Sequence, residues 1–152
     1  MTERLLDENI QGQIRAAFEQ LQDPVRILFF GKKDNCEYCG ETRQLVEEVA
    51  ELSDKLIVEA FDLDDDASVA ENYNVDKAPG LVLTAETADG PVDYGIRYAG
   101  IPSGHEFSSL IQDLILISGR DSGLNEQTRD FLANLEEPVT LQVFVTPTCP
   151  YC

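Results

Sequence analysis

The sequence contains no tryptophan, one histidine and one methionine, and it is short of basic residues. Four lysines and seven arginines face 29 acidic residues, which gives a formal net charge of −18. Because nucleic-acid phosphates are bound by clustered lysine and arginine, this composition argues against a nucleic-acid partner. Such an acidic surface fits either a high-salt cytoplasm or an ordinary one, and we favour the ordinary one.

Long apolar runs are absent as well. No segment approaches the ~18 apolar residues that a membrane span requires. Residues 1–5 show no basic region followed by an apolar stretch, the pattern of a secretory signal. We therefore expect a cytoplasmic protein with no membrane partner. At 152 residues the chain can build one ordinary domain but hardly two.

The four cysteines form two pairs with two residues between partners, Cys-Glu-Tyr-Cys at 36–39 and Cys-Pro-Tyr-Cys at 149–152. In an intracellular chain such pairs argue against a structural disulfide framework. The approaches also match, since Leu-Gln-Asp-Pro-Val at 21–25 parallels Leu-Glu-Glu-Pro-Val at 135–139. The sequence therefore predicts one complete module followed by the opening of a second.

The apolar periodicity predicts a regular succession of helices and strands. The expected elements are a helix at 3–22, a strand at 25–30, a helix from the first cysteine pair to 52, a strand at 56–63, a helix at 67–73, strands at 81–84 and 92–99, and a helix from 103. This order, α-β-α-β-α-β-β-α, is that of the thioredoxin fold, an α/β fold with a mixed central sheet, here with an extra N-terminal helix. We assign residues 1–118 to this domain, 119–124 to a linker, and 125–152 to the first helix and strand of a second thioredoxin-like unit.

Finer patterns predict local details. Leu6, Ile10, Ile14, Ala17, Phe18 and Leu21 are expected on the buried face of the first helix. Asp89-Gly90 predicts a hairpin turn, so that the strands on either side are antiparallel, with Tyr94, Ile96 and Tyr98 on one face of the second strand. Ser103 and Glu106 have the spacing of a capping box, which would place His105 in a solvated first turn.

The first cysteine pair has the features of a redox site. Two cysteines on the first turn of a helix bring their sulfurs close enough to form a disulfide, and the helix dipole favours a thiolate at the first position. We assign Cys36 as the nucleophile and Cys39 as the resolving thiol. Glu37 disfavours the neighbouring thiolate, so Cys36 is expected to be less acidic, and the couple more reducing, than with Pro-Tyr between the cysteines.

Metal binding is the alternative for these cysteines, because four thiolates can hold one zinc ion. The two pairs lie more than a hundred residues apart, so redox chemistry is favoured, with no metal or other cofactor expected.

The acidic run at 62–66 resembles a calcium loop. The EF-hand pattern fails, however, because Ala67 stands where the EF-hand glycine belongs and Tyr73 where the bidentate glutamate belongs.

A second site element is expected at Ala78-Pro79, 43 residues after Cys36. A cis X–Pro bond here would let Ala78 offer its backbone amide and carbonyl to an extended substrate. The alternative is an ordinary loop proline before a strand. Tyr38, between the two cysteines, is expected to pack near the disulfide or against substrate without taking part in the chemistry.

These motifs resemble the glutaredoxin-like protein disulfide oxidoreductases. The similar segments are 29–31 with 36–39, 77–79, 95–98, 100–107 and 143–152. The resemblance implies two fused thioredoxin folds, each with a Cys-x-x-Cys site, and activity on protein disulfides with a thioredoxin reductase-like flavoenzyme as an electron donor. In the family the second site usually dominates. A buried Asp six residues before the nucleophile is replaced here by Phe30, so Glu41, Lys32, Lys33 or water would have to accept the proton of the resolving thiol.

The sequence therefore predicts a thiol–disulfide oxidoreductase that uses Cys36 and Cys39. One alternative is a redox-slow scaffold or substrate-docking module. Another is an electron-relay domain like the start of bacterial alkyl hydroperoxide reductase flavoproteins. Cys149 and Cys152 are expected to form an incomplete site. The apolar strand predicted at 139–145 lacks its sheet, and we expect it to join the edge of the first sheet, to mediate a homodimer or to be mobile.

Overall fold

The computed structural model describes residues 3–152. The helices are α1 (Glu8–Phe18), α2 (Cys39–Ala50), α3 (Ala67–Asn72), α4 (Phe107–Gly119) and α5 (Glu126–Ala133), and the strands are β1 (Val25–Gly31), β2 (Leu56–Asp62), β3 (Gly80–Thr87) and β4 (Gly90–Ala99). A short 3₁₀ turn at Gly104–Glu106 precedes α4. The order through α4 confirms the predicted α/β thioredoxin fold.

The sheet is mixed, with strand order β2-β1-β3-β4. β1 runs parallel to β2 and antiparallel to β3, which pairs antiparallel with β4. Apart from Arg26, β1 is apolar, which suits a central strand covered on both faces. Val25, Ile27 and Phe29 pack in the cluster shared with α1, α2 and α4, whereas Leu28 and Phe30 pack against the α3 side. Three helices thus cover one face of the sheet, and α3 covers the other.

α1 is shorter than the predicted helix. It begins at Glu8 because the side chain of Asp7 caps it by accepting a hydrogen bond from the N–H of Ile10 at 2.8 Å. Leu6 and Leu21, outside the helix, are still buried with Ile14 and Phe18, as the apolar pattern predicts. Ile10 is 36% exposed, so its expected place on the buried face is wrong.

The predicted hairpin is present, with β3 ending at Thr87 and β4 beginning at Gly90, whose φ is +110°. The pairing between these strands is irregular at Leu83 and Thr84. Ile96 and Tyr98 pack against the core, but Tyr94 is 53% exposed. The expectation that Tyr94 shares their face is wrong, because the bulge interrupts the alternation of side chains.

The predicted capping box does not form. Ser103 makes no side-chain cap hydrogen bond, and Gly104, at φ +63°, opens a 3₁₀ turn that delays the start of α4 to Phe107. His105 is exposed in this turn, which agrees with its predicted solvated position.

The chain beyond α4 is exposed. α5 confirms the predicted helix, but residues 139–145 form no strand, and Leu141 and Phe144 are each 88% exposed. The expectation that this segment joins the edge of the first sheet is wrong, since the sheet has only four strands within the described residues. Across residues 3–152, no helix has the length and apolarity to cross a membrane.

Candidate functional site

Cys36 and Cys39 form a disulfide at the end of the loop that leads from β1 to α2, with their Cα atoms 5.4 Å apart. α2 begins at Cys39, and the carbonyl of Tyr38 accepts hydrogen bonds from the N–H and the hydroxyl of Thr42, at 2.9 and 2.6 Å. Cys36 therefore lies just outside the helix, beside the N-terminal end that favours a thiolate. Cys36 is half-buried and Cys39 only 8% exposed, so Cys36 is the more accessible of the two cysteines.

Gly31, at the end of β1, makes room for the Phe29 ring beside the disulfide. A Cβ at this position would lie 3.6 Å from Sγ of Cys39 and 2.9 Å from Cε1 of Phe29. Cys39 therefore packs against the end of β1, where a side chain at position 31 would have to displace the Phe29 ring. Sequence reasoning missed this role, because a glycine at a strand end looks like an ordinary turn residue.

The structure also corrects the strand position that faces Cys39. Counting six residues back from Cys36 gives Phe30, which is fully buried on the opposite face and stacks on Phe61 with ring centroids 5.4 Å apart. Phe29 and Gly31 lie on the face of Cys39. Phe30 therefore does not occupy the place of a proton acceptor for the resolving thiol.

The two lysines proposed as acceptors are drawn toward the turn after β2. Nζ of Lys32 lies 3.7 Å from a carboxylate oxygen of Asp64, and Lys33 donates a hydrogen bond to Asp65. That hydrogen bond and the charge of Asp65 raise the pKa of Lys33 above its usual value. Both ammonium groups are thus occupied by carboxylates, and the acidic run at 62–66 serves as their partner.

Ala78 and Pro79 lie at the same end of the sheet as the disulfide. The peptide bond between them is cis, as predicted. Antiparallel pairing places Gly80 opposite Phe30, so the loop before β3 adjoins the loop after β1. Ala78 and Cys36 pack against the same apolar cluster, and Tyr38, between the two cysteines, is 48% exposed. The fold therefore places the Ala78-Pro79 loop and the first cysteine pair at the same end of the sheet.

The second cysteine pair has different surroundings. Cys149 and Cys152 also form a disulfide, but they lie in a turn, and Cys152 is exposed. This segment contacts the first module where the N–H of His105 donates to the carbonyl oxygen of Pro147 at 3.1 Å. A Cβ on Gly104 would lie 2.9 Å from the carbonyl carbon of Pro147, so the missing side chain permits the contact. The sequence carried no signal for it.

A mixed four-stranded sheet, a Cys-x-x-Cys disulfide between its central strand and a helix, and a cis-proline loop beside that disulfide define a thioredoxin-fold redox protein. The arrangement can form and break a disulfide between a half-buried and a buried cysteine. No protein-family model matches the sequence.

Comparison with known proteins agrees with this class. The chain is 27% identical to the alkyl hydroperoxide reductase protein AhpF of Pseudomonas aeruginosa over 148 residues, which cover 97% of this chain and 25% of that protein. The Escherichia coli protein of the same name is 28% identical over the same length. The chain thus spans about a quarter of the length of the curated relatives it matches.

Solved structures give the same result. A protein disulfide oxidoreductase from Aeropyrum pernix matches with a TM-score of 0.85 and 26% identity, covering 98% of this chain and 64% of that one. The AhpF protein of Enterococcus faecalis matches with a TM-score of 0.82 and 26% identity, covering 98% and 69%. These relationships fit a glutaredoxin-like disulfide oxidoreductase with tandem thioredoxin folds, as the sequence motifs indicated.

Proposed function

We propose that this chain is a thiol–disulfide oxidoreductase that acts on protein disulfides through a mixed disulfide at Cys36, which Cys39 resolves. The observation that carries the proposal is the division of accessibility within the Cys36–Cys39 disulfide, beside the cis-proline loop. A half-buried first cysteine can meet a substrate sulfur, while the buried second cysteine is kept for the intramolecular step.

The reduction of a substrate proceeds in two exchanges. The Cys36 thiolate attacks one sulfur of the substrate disulfide, forms the mixed disulfide and expels one substrate thiolate. The Cys39 thiolate then attacks Sγ of Cys36, closes the disulfide seen in the structure and releases the second substrate thiolate. Two electrons pass to the substrate, and its two thiolates take protons from water. The reverse sequence oxidises a dithiol.

Ala78 and Tyr38 are proposed to bind the substrate. The backbone amide and carbonyl of Ala78 would pair with an extended substrate segment, as in strand addition. The exposed ring of Tyr38 offers an apolar surface next to Cys36. Neither residue exchanges electrons.

Reduction of insulin in the presence of dithiothreitol tests the proposal. We expect the wild-type chain to accelerate it and the Cys36→Ser variant to lose the acceleration. A double variant with Cys149→Ser and Cys152→Ser is the matched control and is expected to retain most of the activity. Full activity in the Cys36→Ser variant would refute the proposal.

A second candidate is an electron-relay domain for a flavoprotein system that reduces peroxides. It is favoured by the match to the NTD_N/C domain of AhpF from Enterococcus faecalis, with 27% identity, a TM-score of 0.79 and 97% of this chain covered. Reduction of the Cys36–Cys39 disulfide by a thioredoxin reductase-like flavoenzyme and NADH, faster than by dithiothreitol, would support the relay.

A redox-slow scaffold is distinguished by its potential. A Cys36–Cys39 couple below about −300 mV would resist the glutathione pool and favour a structural role. The proposed oxidoreductase requires a higher potential.

Association is a separate proposal: residues 139–145 expose an alternating apolar face that a second copy could pair with. Light scattering before and after deletion of residues 137–152 tests for a homodimer.

A further inference from the structure

Arg97, on β4, makes an unusually complete set of contacts. Its Nη1 and Nη2 donate to the two carboxylate oxygens of Asp93 at 2.8 and 2.6 Å, and its Nε donates to the carbonyl oxygen of Tyr73 at 3.0 Å. The guanidinium carbon lies 5.9 Å from the centroid of the Tyr73 ring. The side chain is 29% exposed, so these bonds are partly shielded from water. Arg97 therefore ties the bulged strand to the end of α3.

Tyr73 is the C-cap of α3 and the last residue before the loop at 74–79. The loop continues with Asn74 at φ +54° and with the N–H of Val75 donating to the carbonyl oxygen of Ala70 at 2.8 Å. The carbonyl that Arg97 holds thus sets the direction in which the chain leaves the helix toward Ala78.

The far end of this loop is also closely packed. A Cβ on Gly80 would lie 2.7 Å from the carbonyl oxygen of Lys77 and 3.0 Å from Cγ1 of Val75. The carbonyl oxygen of Pro79 accepts a hydrogen bond from the N–H of Gly100 at 2.8 Å. The loop is therefore held by backbone hydrogen bonds at both ends, and the Arg97 side chain adds a contact at its start.

We infer that Arg97 is a positioning residue that fixes the loop at 74–79 so that Ala78 meets the substrate backbone beside Cys36. The inference rests on the proposed function, and Arg97 itself touches none of the reacting sulfurs. The guanidinium suits the task because its planar fork can hold the Asp93 carboxylate and still present Nε to the Tyr73 carbonyl. A lysine ammonium cannot make all three bonds in this geometry.

Substrate kinetics provide the first test, with Arg97→Gln and Arg97→Lys assayed on a disulfide-linked model peptide and on bis(2-hydroxyethyl) disulfide. Both variants should raise KM for the peptide about tenfold with little change in kcat, because a loop that is not pre-ordered must be ordered on binding. The rate with the small disulfide and the potential of Cys36–Cys39 should stay at wild-type values. Arg43→Gln, which breaks an exposed pair with Glu47, is the control and should change nothing.

Hydrogen exchange of the folded variants gives a readout that does not depend on activity. Amides at 74–79 should exchange faster in both Arg97 variants and in Asp93→Asn, while amides of α2 keep their wild-type rates. Unchanged exchange at 74–79, or equal loss of rate on the peptide and on the small disulfide, would overturn the inference. If the wild-type chain reduces neither substrate, the proposed function fails, and the exchange result still decides whether Arg97 holds the loop.

Discussion

The residues at 25–31 and those at 139–145 are both largely apolar, both begin directly after a proline and both lead to a Cys-x-x-Cys motif, yet only the first segment forms a strand. β1 pairs with β2 on one side and β3 on the other, and Val25, Ile27 and Phe30 are fully buried. In the second segment Leu141 and Phe144 are each 88% exposed. An apolar pattern therefore makes a strand only where neighbouring strands supply hydrogen bonds and cover.

The helices before these two segments do not show this difference. α1 is capped by Asp7 and α5 by Asn125, and each side chain accepts a hydrogen bond from the N–H three residues later at 2.8 Å. A cap is a local interaction, so the residue at which each helix begins follows from its own sequence. The surroundings of the two cysteine pairs also differ because only the first pair has neighbouring structure that covers it. Cys39 packs on a strand end and opens a helix, whereas Cys152 is exposed.

The largest expected effect comes from adding a side chain at the end of β1, where the Phe29 ring lies beside Cys39. Gly31→Ala should reduce the free energy of unfolding of the oxidised protein by about 1–3 kcal/mol, because the new Cβ displaces the Phe29 ring. Gly40→Ala, one residue from Cys39 in open space within α2, should raise it by about 0.5–1 kcal/mol. Denaturant unfolding measures both. Equal effects at the two glycines would mean that Gly31 does not shape the first site.

The next effect concerns how α2 is anchored. Glu48 is buried, and its carboxylate accepts hydrogen bonds from the N–H groups of Leu5 and Leu6 and from the Gln44 amide, at 2.8 to 3.1 Å. Burial opposes ionisation, but these bonds outweigh it and hold the pKa of Glu48 below its usual value. Glu48→Gln should therefore cost about 1–3 kcal/mol of stability at pH 7.

The pH dependence of this effect follows from the lowered pKa. The stabilisation by Glu48 is present above the usual glutamate value of 4.5 and is lost as the pH falls through the lower folded value. The difference between Glu48→Gln and wild type should accordingly shrink in acid. Glu47→Gln, at an exposed pair with Arg43, should cost no more than about 0.5 kcal/mol at any pH. A constant difference across the acid range would contradict the anchoring role.

A smaller effect is expected where the segment with the second cysteine pair contacts the first module, at Gly104 and Pro147. Gly104→Ala should cost about 1–2 kcal/mol for its left-handed backbone and also displace Pro147, so residues 146–152 should exchange amide hydrogens faster. Gly90→Ala, at φ +110°, also strains the backbone but has no atom within 4 Å of its Cβ, and it should leave that segment unchanged. Disulfide reductase activity at Cys36 should survive both. Loss of activity in Gly104→Ala alone would show that the first site depends on the second segment.

The smallest effect is expected from a variant that gives the first cysteine motif the sequence of the second. Glu37→Pro removes a carboxylate next to Cys36 and should shift half-maximal trapping by iodoacetamide to lower pH by a fraction of a unit. The Tyr38→Phe variant leaves the local charge unchanged and is the control. An unshifted trapping curve for Glu37→Pro would mean that Glu37 does not weaken the thiolate.

Much of this fold was predictable, because its signals are short-range. Apolar periodicity gave the order of elements through α4, and the spacing from Cys36 to Pro79 placed the two loops of the site. The errors at Tyr94, Ser103 and Phe30 have a common origin, since a bulge, a positive φ at Gly104 and the face of a strand are fixed by tertiary pairing. The same holds for residues 139–145, whose partners no local pattern reveals, and for the Arg97 contacts.

The most direct test of the account is to trap the mixed disulfide. A Cys39→Ser variant, reduced and mixed with a disulfide-linked peptide, has no resolving thiol at the first site, and the adduct can be located by mass spectrometry. We expect the peptide on Cys36, with Cys149 and Cys152 unmodified or paired with each other. A peptide found on Cys149 or Cys152 instead, with Cys36 free, would contradict the assignment of the chemistry to the first pair.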